Sequence, residues 1–365
     1  MTMYNQKKNV AYVINGLTPG GAEIGLELLI DKAMFDNVNL HLILISRCNS
    51  ELEKRVIQKV RNVYFLSDEP IDNKKILNYF FKLNKIIKKI KPEIVISALT
   101  QSVLITRLVR IVKRFKHVTF EHNTKFQSET VFRLIKYSDY LTDTHWCDSV
   151  ATQRSLILRN RKCKNKIVPL FHTTLSTITK TIFTEKDSIK IMAVGRLTQV
   201  KNFRQSLHVI KLLRKKGIDA TLDIYGDGEM KGELEEISRS EGIDKAINFR
   251  GFVQDWQKIA HNYDAYLLSS NFEGLSISTL EAMSAGLPCV VRAVGELECY
   301  IIDHENGIFA ETSEEAAQAL MDIYYNPNLA QKLGNNAREY VSQMHSEDTF
   351  LKQINQAKAE LGTHR

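Results

Sequence analysis

No stretch of the 365-residue chain approaches 18 consecutive apolar residues, so no segment reads as a membrane-spanning helix. There is no C-x-x-C pair either: Cys48, Cys147, Cys163, Cys289 and Cys299 are odd in number and scattered. That argues against a disulfide framework and a structural zinc site, and predicts idle or buried thiols in a reducing compartment. Glycine (17) and proline (6) are too scarce for a collagen-like or low-complexity chain. A 44% hydrophobic, 25% charged composition excludes disorder as a description of the whole. The apolar run after Lys7 and Lys8 lasts only about six residues and stops at Asn15, too short for a signal-peptide core. The expectation is a cytoplasmic protein. Asp-x-Asp, a common way of holding a metal beside a phosphate, does not occur.

What is present begins with length, which suits two domains of ordinary size. Charge divides unevenly between them. Residues 1–172 hold 29 basic and 15 acidic side chains, a net of +14, whereas residues 173–365 carry −6. Such asymmetry points one half at an anionic partner: nucleic acid, an anionic bilayer or a phosphorylated substrate. The densest basic segment, 74–91, spaces Ile76, Phe80, Leu83, Ile87 and Ile90 as one helix face, with Lys74, Lys75, Lys82, Lys85, Lys88 and Lys89 over much of the remainder. It reads either as a solvated helix docked on its own sheet or as one that also rests on anionic headgroups. Arg107, Arg110, Lys113, Arg114 and Lys116 are candidates to extend that face.

Strand and helix patterns alternate along the chain. Apolar strand-like runs fall at 9–17, 40–46, 63–66, 92–99, 117–123 and 166–170, and again at 188–197, 220–228, 246–253, 265–270 and 288–293. Helical patterns lie between them, which indicates parallel sheets. The series restarts after the Thr/Ser-rich stretch 173–188. The fold expected is α/β, with two doubly wound Rossmann-like domains facing across a cleft: 1–172 on the acceptor side, a linker at 173–188, and a nucleotide-binding domain at 189–345. The C-terminal helix at 346–365 has the N-terminal domain as its candidate docking place. Ligands of such sheets bind beyond the carboxyl ends of the strands, so the cleft is the expected active site.

Three strand-end segments carry candidate chemistry. Gly20-Gly21-Ala22-Glu23 opens a helix after the first strand; it reads as a phosphate-approach turn or as an ordinary structural turn. Gly195-Arg196 with Lys201-Asn202 follows the first strand of the second half; its two cations read as a diphosphate clamp or as solvated surface. In 271–288, Glu273 lies in a loop and Glu281 eight residues on, in a helix. Two carboxylates beside the amides of Leu275, Ser276 and Ile277 suit sugar hydroxyls next to a phosphate, against the alternative of a capped helix with solvated acids.

Taken in order, GGAE (20–23), EHN (121–123), GRLTQVKN (195–202), YGDGE (225–229) and EGLSISTLE followed by AMSAGLPCVV make the chain resemble the family 4 retaining glycosyltransferases of GT-B fold. The likeness runs over nearly the whole chain and is strongest over 190–310. It implies that Gly21 offers its amide to a donor diphosphate and that Arg196 and Lys201 neutralise that diphosphate as it leaves. Glu281 would bind the donor ribose. Glu273, with the amides of Leu275, Ser276 and Ile277, would contact the transferred sugar. Gly251, Phe252 and Val253 would line the nucleobase pocket, and His122 would touch the sugar near the reacting carbon. The chain departs from the family at Val294-Gly295-Glu296-Leu297-Glu298, where Gly-Gly often precedes the glutamate, and at Pro169-Leu170-Phe171-His172, where Pro-Asn-Gly is usual.

Breaking a glycosyl–phosphate bond leaves negative charge on the nucleoside diphosphate. Arg196, Lys201 and helix N-termini can supply fixed positive charge there, so no metal or other cofactor is expected. The resemblance implies same-face attack, without a carboxylate nucleophile of the double-displacement kind. The expected partners are a nucleotide-sugar donor, UDP-linked, and a glycan or lipid-linked acceptor of a bacterial surface polysaccharide such as lipopolysaccharide or capsule. The third is an anionic membrane surface met by the basic half, with the enzyme peripheral on the inner face of the cytoplasmic membrane. Three other readings have less behind them. A nucleotide-sugar epimerase or phosphorylase of the same fold would need no acceptor or no nucleotide. A nucleic-acid binder lacks a motif. A dinucleotide oxidoreductase lacks a G-x-G-x-x-G after a strand.

Overall fold

A computed structural model of the chain describes residues 7–18, 20–122, 128–172, 176, 178–184, 186–253 and 255–362. Asn123 of the EHN motif and residues 173–175, 177 and 185 of the expected linker lie outside these. Met1–Phe171 with Phe350–Arg365 forms one compact unit and His172–Thr349 the other.

The first unit runs β1 (Asn9–Ile14), α1 (Gly21–Asp31), β2 (Asn39–Ser46), α2 (Glu51–Lys59), β3 (Asn62–Ser67), α3 (Ile76–Ile90), β4 (Ile94–Ala98), α4 (Thr100–Val112), β5 (Lys116–Glu121), α5 (Glu129–Ser138), β6 (Thr144–Cys147), α6 (Val150–Arg159) and β7 (Asn165–Ile167). The strands form one sheet in the order β3-β2-β1-β4-β5-β6-β7, each parallel to its neighbours. Helices cover both faces, so the central strands read as continuous apolar runs rather than alternating ones. Phe350, Ile354, Ala357 and Leu361 of the C-terminal helix pack into the core on one face with Tyr12, Leu26 and Trp146. Lys166 pairs with Glu360 at 2.9 Å beside them.

Two expectations about the basic segment need correction. Tyr79 is fully buried in α3 with Leu83, Ile87 and Ile90, while Ile76 and Phe80 are only partly covered. The Tyr79 hydroxyl reaches the Asp72 amide at 3.2 Å, which turns that side of the helix inward. Arg107 does not extend a cationic surface. It is buried and bonded to Asp139, with Arg159 on the other carboxylate oxygen at 3.1 Å. Arg110 is likewise taken up by Asp143 at 2.9 Å.

The second unit runs β8 (Ser188–Val194), α7 (Phe203–Lys215), β9 (Asp219–Tyr225), α8 (Lys231–Ser240), β10 (Ile247–Gly251), β11 (Ala265–Leu268), α9 (Ile277–Ser284), β12 (Cys289–Val291), α10 (Leu297–Tyr300), β13 (Ile308–Phe309), α11 (Ser313–Tyr325) and α12 (Pro327–Met344). Its parallel sheet has the order β10-β9-β8-β11-β12-β13. Lys180 and Lys186 both reach Asp264, at 3.1 and 2.6 Å, and so fasten the stretch before β8 to this unit. In each sheet the strand order reverses beside the first strand, between β1 and β4 and between β8 and β11. Segments leaving the carboxyl ends diverge there and open a place for a ligand.

Candidate active site

In the second unit the loops at the strand ends are tied to one another by backbone hydrogen bonds. The Gly195 amide donates to Tyr225 O at 2.9 Å, the Leu197 amide to Asp227 O at 2.9 Å and the Gly226 amide to Gly251 O at 2.8 Å. Gly226 has φ +138°, and a Cβ there would stand 2.9 Å from the Gly195 carbonyl carbon, so only glycine lets the two turns meet. The Asn271 amide donates to Val200 O at 2.8 Å and draws in the loop after β11. This brings two residues 72 positions apart together: Lys201 Nζ donates to Glu273 Oε1 at 2.6 Å. Glu273 is buried and Lys201 half-buried; Arg196, on the same loop as Lys201, is exposed.

Glu273 is held from its other side as well. Gly295 has φ +61°, and a Cβ on it would overlap the Glu273 carbonyl oxygen. The Glu296 amide donates to Gly274 O at 3.1 Å. The segment that departs from the family pattern at 294–298 is thus the backing of the Glu273 loop. Ser276, in the left-handed region at φ 47°, starts α9. The first amides of a helix have no acceptor one turn back, so the amides of Ser276 and Ile277 find no carbonyl partner within α9, and Leu275 stands next before them in the chain. Beneath it, the buried Tyr300 hydroxyl donates to Leu275 O at 2.9 Å, and burial raises this phenol well above its usual range.

Glu281 is half-buried one turn into α9. Burial raises its carboxyl above the ordinary carboxylate range, while hydrogen bonds from Gln257 and Trp256 pull the other way. Trp256 is itself fixed by stacking on Tyr266, with centroids 6.3 Å apart and planes at 16°. In the turn after β10, Asp227 Oδ2 accepts the Phe252 amide at 3.1 Å, and the Phe252 ring stands exposed beside the half-buried Val253.

The first unit carries its own set at the ends of β1, β5 and β6. Gly21 opens α1, and a Cβ there would meet none of the described residues within 4 Å. Glu23 is buried; burial raises its carboxyl, opposed by its own amide and then by the nearby His122. His122 Nδ1 lies 3.1 Å from Asp148 Oδ2, and Thr152 Oγ1 donates to the other Asp148 oxygen at 2.8 Å. A carboxylate accepts, so the proton on this imidazole is assigned to Nδ1. Nε2, also buried, has no hydrogen-bond partner among the described residues.

Every residue expected at a site therefore stands at the carboxyl end of its own sheet. Sequence reasoning missed Asp148, Gln257, Trp256 and Tyr300. Asp148 had a usable signal, since it follows β6 as His122 follows β5, but Thr-His-Trp-Cys does not read as a strand. The other three belong to no motif.

Residues 177–340 match the family model described as "Glycosyl transferases group 1". An uncharacterised glycosyltransferase of Haemophilus influenzae is 26% identical over 302 residues, 80% of this chain and 83% of that protein. The O-antigen biosynthesis glycosyltransferase WbnH of Escherichia coli is 28% identical over 241 residues, 64% of this chain and 68% of its own. Among solved structures, the lipopolysaccharide outer core galactosyltransferase WaaB superposes with TM-score 0.78 at 18% identity over 96% of this chain and 99% of that one. Anabaena Alr3699/HepE in complex with UDP gives 0.77 at 16% identity over 96% and 100%. The chain has the two-domain α/β GT-B fold. The family match and the relatives support a GT-B glycosyltransferase.

Proposed function

We propose that the chain is a family 4 retaining glycosyltransferase, moving a hexosyl or N-acetylhexosaminyl group from a UDP-sugar to a glycan or lipid-linked acceptor in bacterial surface-polysaccharide synthesis. The observation that carries this reading is the Lys201–Glu273 contact at 2.6 Å beside the N-terminus of α9. It sets a cation for a phosphate and a carboxylate for sugar hydroxyls side by side, on loops already held by backbone bonds. The O-antigen relative supports the acceptor class, and the UDP complex of HepE supports the donor base.

In this reading Glu281 takes the ribose hydroxyls, and the 251–253 turn takes the base. Arg196 and Lys201 neutralise the diphosphate without a metal, as fixed charges that need no reorganisation when the bond breaks. Gly21 adds an amide from the first unit. Glu273 and the amides of 275–277 grip the sugar. The bond from the sugar's anomeric carbon to the phosphate oxygen breaks, and the electron pair leaves with the nucleoside diphosphate. The acceptor oxygen bonds that carbon on the same face, and its proton passes to the departing phosphate oxygen. His122, its Nδ1–H directed to Asp148, offers the Nε2 lone pair to a sugar hydroxyl near the reacting carbon. An anionic membrane surface, met by the basic N-terminal unit from the cytoplasmic side, is the place proposed for the reaction.

The test is a thermal-shift titration with UDP, GDP, ADP and several nucleotide sugars, followed by product analysis with an acceptor. A ligand at 100 times its Kd stabilises the fold by about 2.7 kcal/mol. No shift with any nucleoside diphosphate would sink the reading. A product of inverted configuration would overturn its retaining part, and turnover of donor without acceptor would favour an epimerase.

A further inference from the structure

Glu281 is placed by contacts that none of the sequence motifs contains. It lies half-buried on α9, and its carboxylate accepts hydrogen bonds from the Gln257 side-chain amide and from Trp256. No ion pair among the described residues engages it, whereas Glu273 has Lys201 at 2.6 Å. Its charge is therefore met by neutral donors alone. Both donors sit on one short turn, Trp256–Lys258, and that turn is fastened at two points. The buried Trp256 ring stacks on the buried Tyr266, whose hydroxyl donates to Ser278 Oγ of α9 at 2.9 Å. A few residues on, the buried Tyr263 hydroxyl donates to Asp223 Oδ2 of β9 at 2.7 Å. Arg250 Nε reaches the same oxygen at 2.9 Å and Asn248 Nδ2 the other at 2.7 Å, so Asp223 also ties this segment to β10, where the 251–253 turn begins.

We propose that Gln257, together with the Trp256 indole, is a positioning residue that makes Glu281 select ribose over deoxyribose in the donor nucleotide. A carboxylate offers about four lone-pair sites, and the amide and the indole take two of them from the protein side. The remainder suit two neighbouring hydroxyls, which ribose presents at C2′ and C3′ and deoxyribose does not. A glutamate free to change rotamer would pay to be ordered on binding, whereas one held by two fixed donors is already set for the pair. The neutral character of those donors matters as well. A carboxylate paired with lysine or arginine has part of its acceptor capacity taken, but here the charge is left for incoming O–H groups, and such charge-assisted bonds are about twice as strong as neutral ones. A site built around them rejects an analogue that lacks the hydroxyl, because the half-buried carboxylate then goes unpaired. The inference rests on Glu281 as the ribose acceptor in the reading above, and adds the side chains that give that contact its selectivity.

Calorimetry with UDP, 2′-deoxy-UDP and 3′-deoxy-UDP tests this. Wild type should bind UDP about ten- to a hundredfold more tightly than the weaker deoxy form, the scale of one hydrogen bond to a charged acceptor. Gln257→Met keeps the length of the side chain and removes the donor. It should bring the affinity for UDP down to that for the deoxy form, while affinity for the deoxy form itself changes less than about twofold. Should Gln257→Met not fold, Trp256→Phe gives the answer: it keeps a ring on Tyr266, removes only the N–H, and should lower the same preference. In a Glu281→Ala background Gln257→Met should have almost no further effect on UDP, because a residue that acts through another adds nothing once that other is gone. A preference unchanged from wild type in both variants overturns the inference. So does an equal loss for all three ligands, or an effect that adds in full to Glu281→Ala, since either makes Gln257 a structural tie. Wild type that binds UDP and both deoxy forms alike removes ribose selection and leaves the donor reading standing, whereas wild type that binds no nucleoside diphosphate sinks both.

Discussion

Replacing Gly295 by alanine tests whether the segment behind Glu273 positions it. Two penalties meet at this residue. Its φ of +61° lies in the left-handed region, where a Cβ costs about 1–2 kcal/mol. The added carbon would also overlap the Glu273 carbonyl oxygen and stand 2.9 Å from the Glu273 carbonyl carbon and 3.1 Å from Gly274 O. Relieving that overlap moves the Glu273 backbone by about 1 Å, given an ordinary carbon contact of about 3.5 Å. The carboxylate holds Lys201 at 2.6 Å and cannot follow a shift of that size without loosening. Misplacement by about 1 Å costs on the order of a hundredfold in rate. The expected result is a folded protein destabilised by about 2–3 kcal/mol, with turnover down about a hundredfold. Affinity for nucleoside diphosphate should change little, because Glu281 is seated on α9. Gly217→Ala is the control, since it carries φ +84° with open space around the new carbon. It should show the backbone penalty, about 1 kcal/mol, and full activity. The assays are chemical denaturation, calorimetry with UDP and turnover of a nucleotide sugar. Wild-type turnover in Gly295→Ala, with a stability loss no larger than that of Gly217→Ala, would refute the positioning role.

Arg196→Ala and Lys201→Ala should each lower turnover by roughly 10²–10³, on the scale of losing one preorganised charge at a developing anion; the exposed Arg196→Ala should melt near wild type, whereas Lys201→Ala leaves the buried Glu273 carboxylate without its partner at 2.6 Å and should melt lower, and undiminished turnover in folded Arg196→Ala would remove the clamp. Activity should survive EDTA, and its loss with recovery on Mg²⁺ or Mn²⁺ would assign the charge neutralisation to a metal instead. In calorimetry with nucleoside diphosphate alone, Glu281→Ala should lose most of the affinity and Glu273→Ala little, and equal losses would contradict the division of labour. Glu121 gives a pH prediction. Burial alone would raise its carboxyl, but His145 at 3.2 Å and Arg159 at 3.2 Å outweigh that and hold it far below the usual range. A depressed folded-state pKa contributes stability above the unfolded value of about 4.3, and that stability is lost as pH falls through the folded-state value. Glu121→Gln should therefore cost about 3 kcal/mol at pH 7, with the gap to wild type closing below about pH 4 in thermal melts; a gap independent of pH would count against the ion pairs.

How much of this was legible in the sequence depends on how far apart the cooperating residues lie. The sheets and their helices follow from local patterns. Apolar runs flanked by helical periodicity specify parallel strands covered on both faces, and helices start where glycine or a polar residue follows such a run. The motif spacings likewise put Glu273 in a loop and Glu281 on the helix after it, within eight residues. β6 was missed because its buried positions are His145, Trp146 and Cys147, and the histidine is accommodated only through Thr119 and Glu121 on the neighbouring strand. Whether a helical lysine or leucine faces solvent was equally out of local reach. Arg107 went inside because Asp139 was there to meet it, and Phe81 stayed outside because Tyr79 took the inward side of α3. The contacts that set the candidate chemistry join residues far apart in the chain: Lys201 on Glu273, His122 on Asp148, Gln257 on Glu281 and Gly295 behind Glu273. Periodicity carries information over a turn or two of helix. Which loops meet at the end of a sheet is decided by strand order, and strand order exists only once the whole sheet has formed.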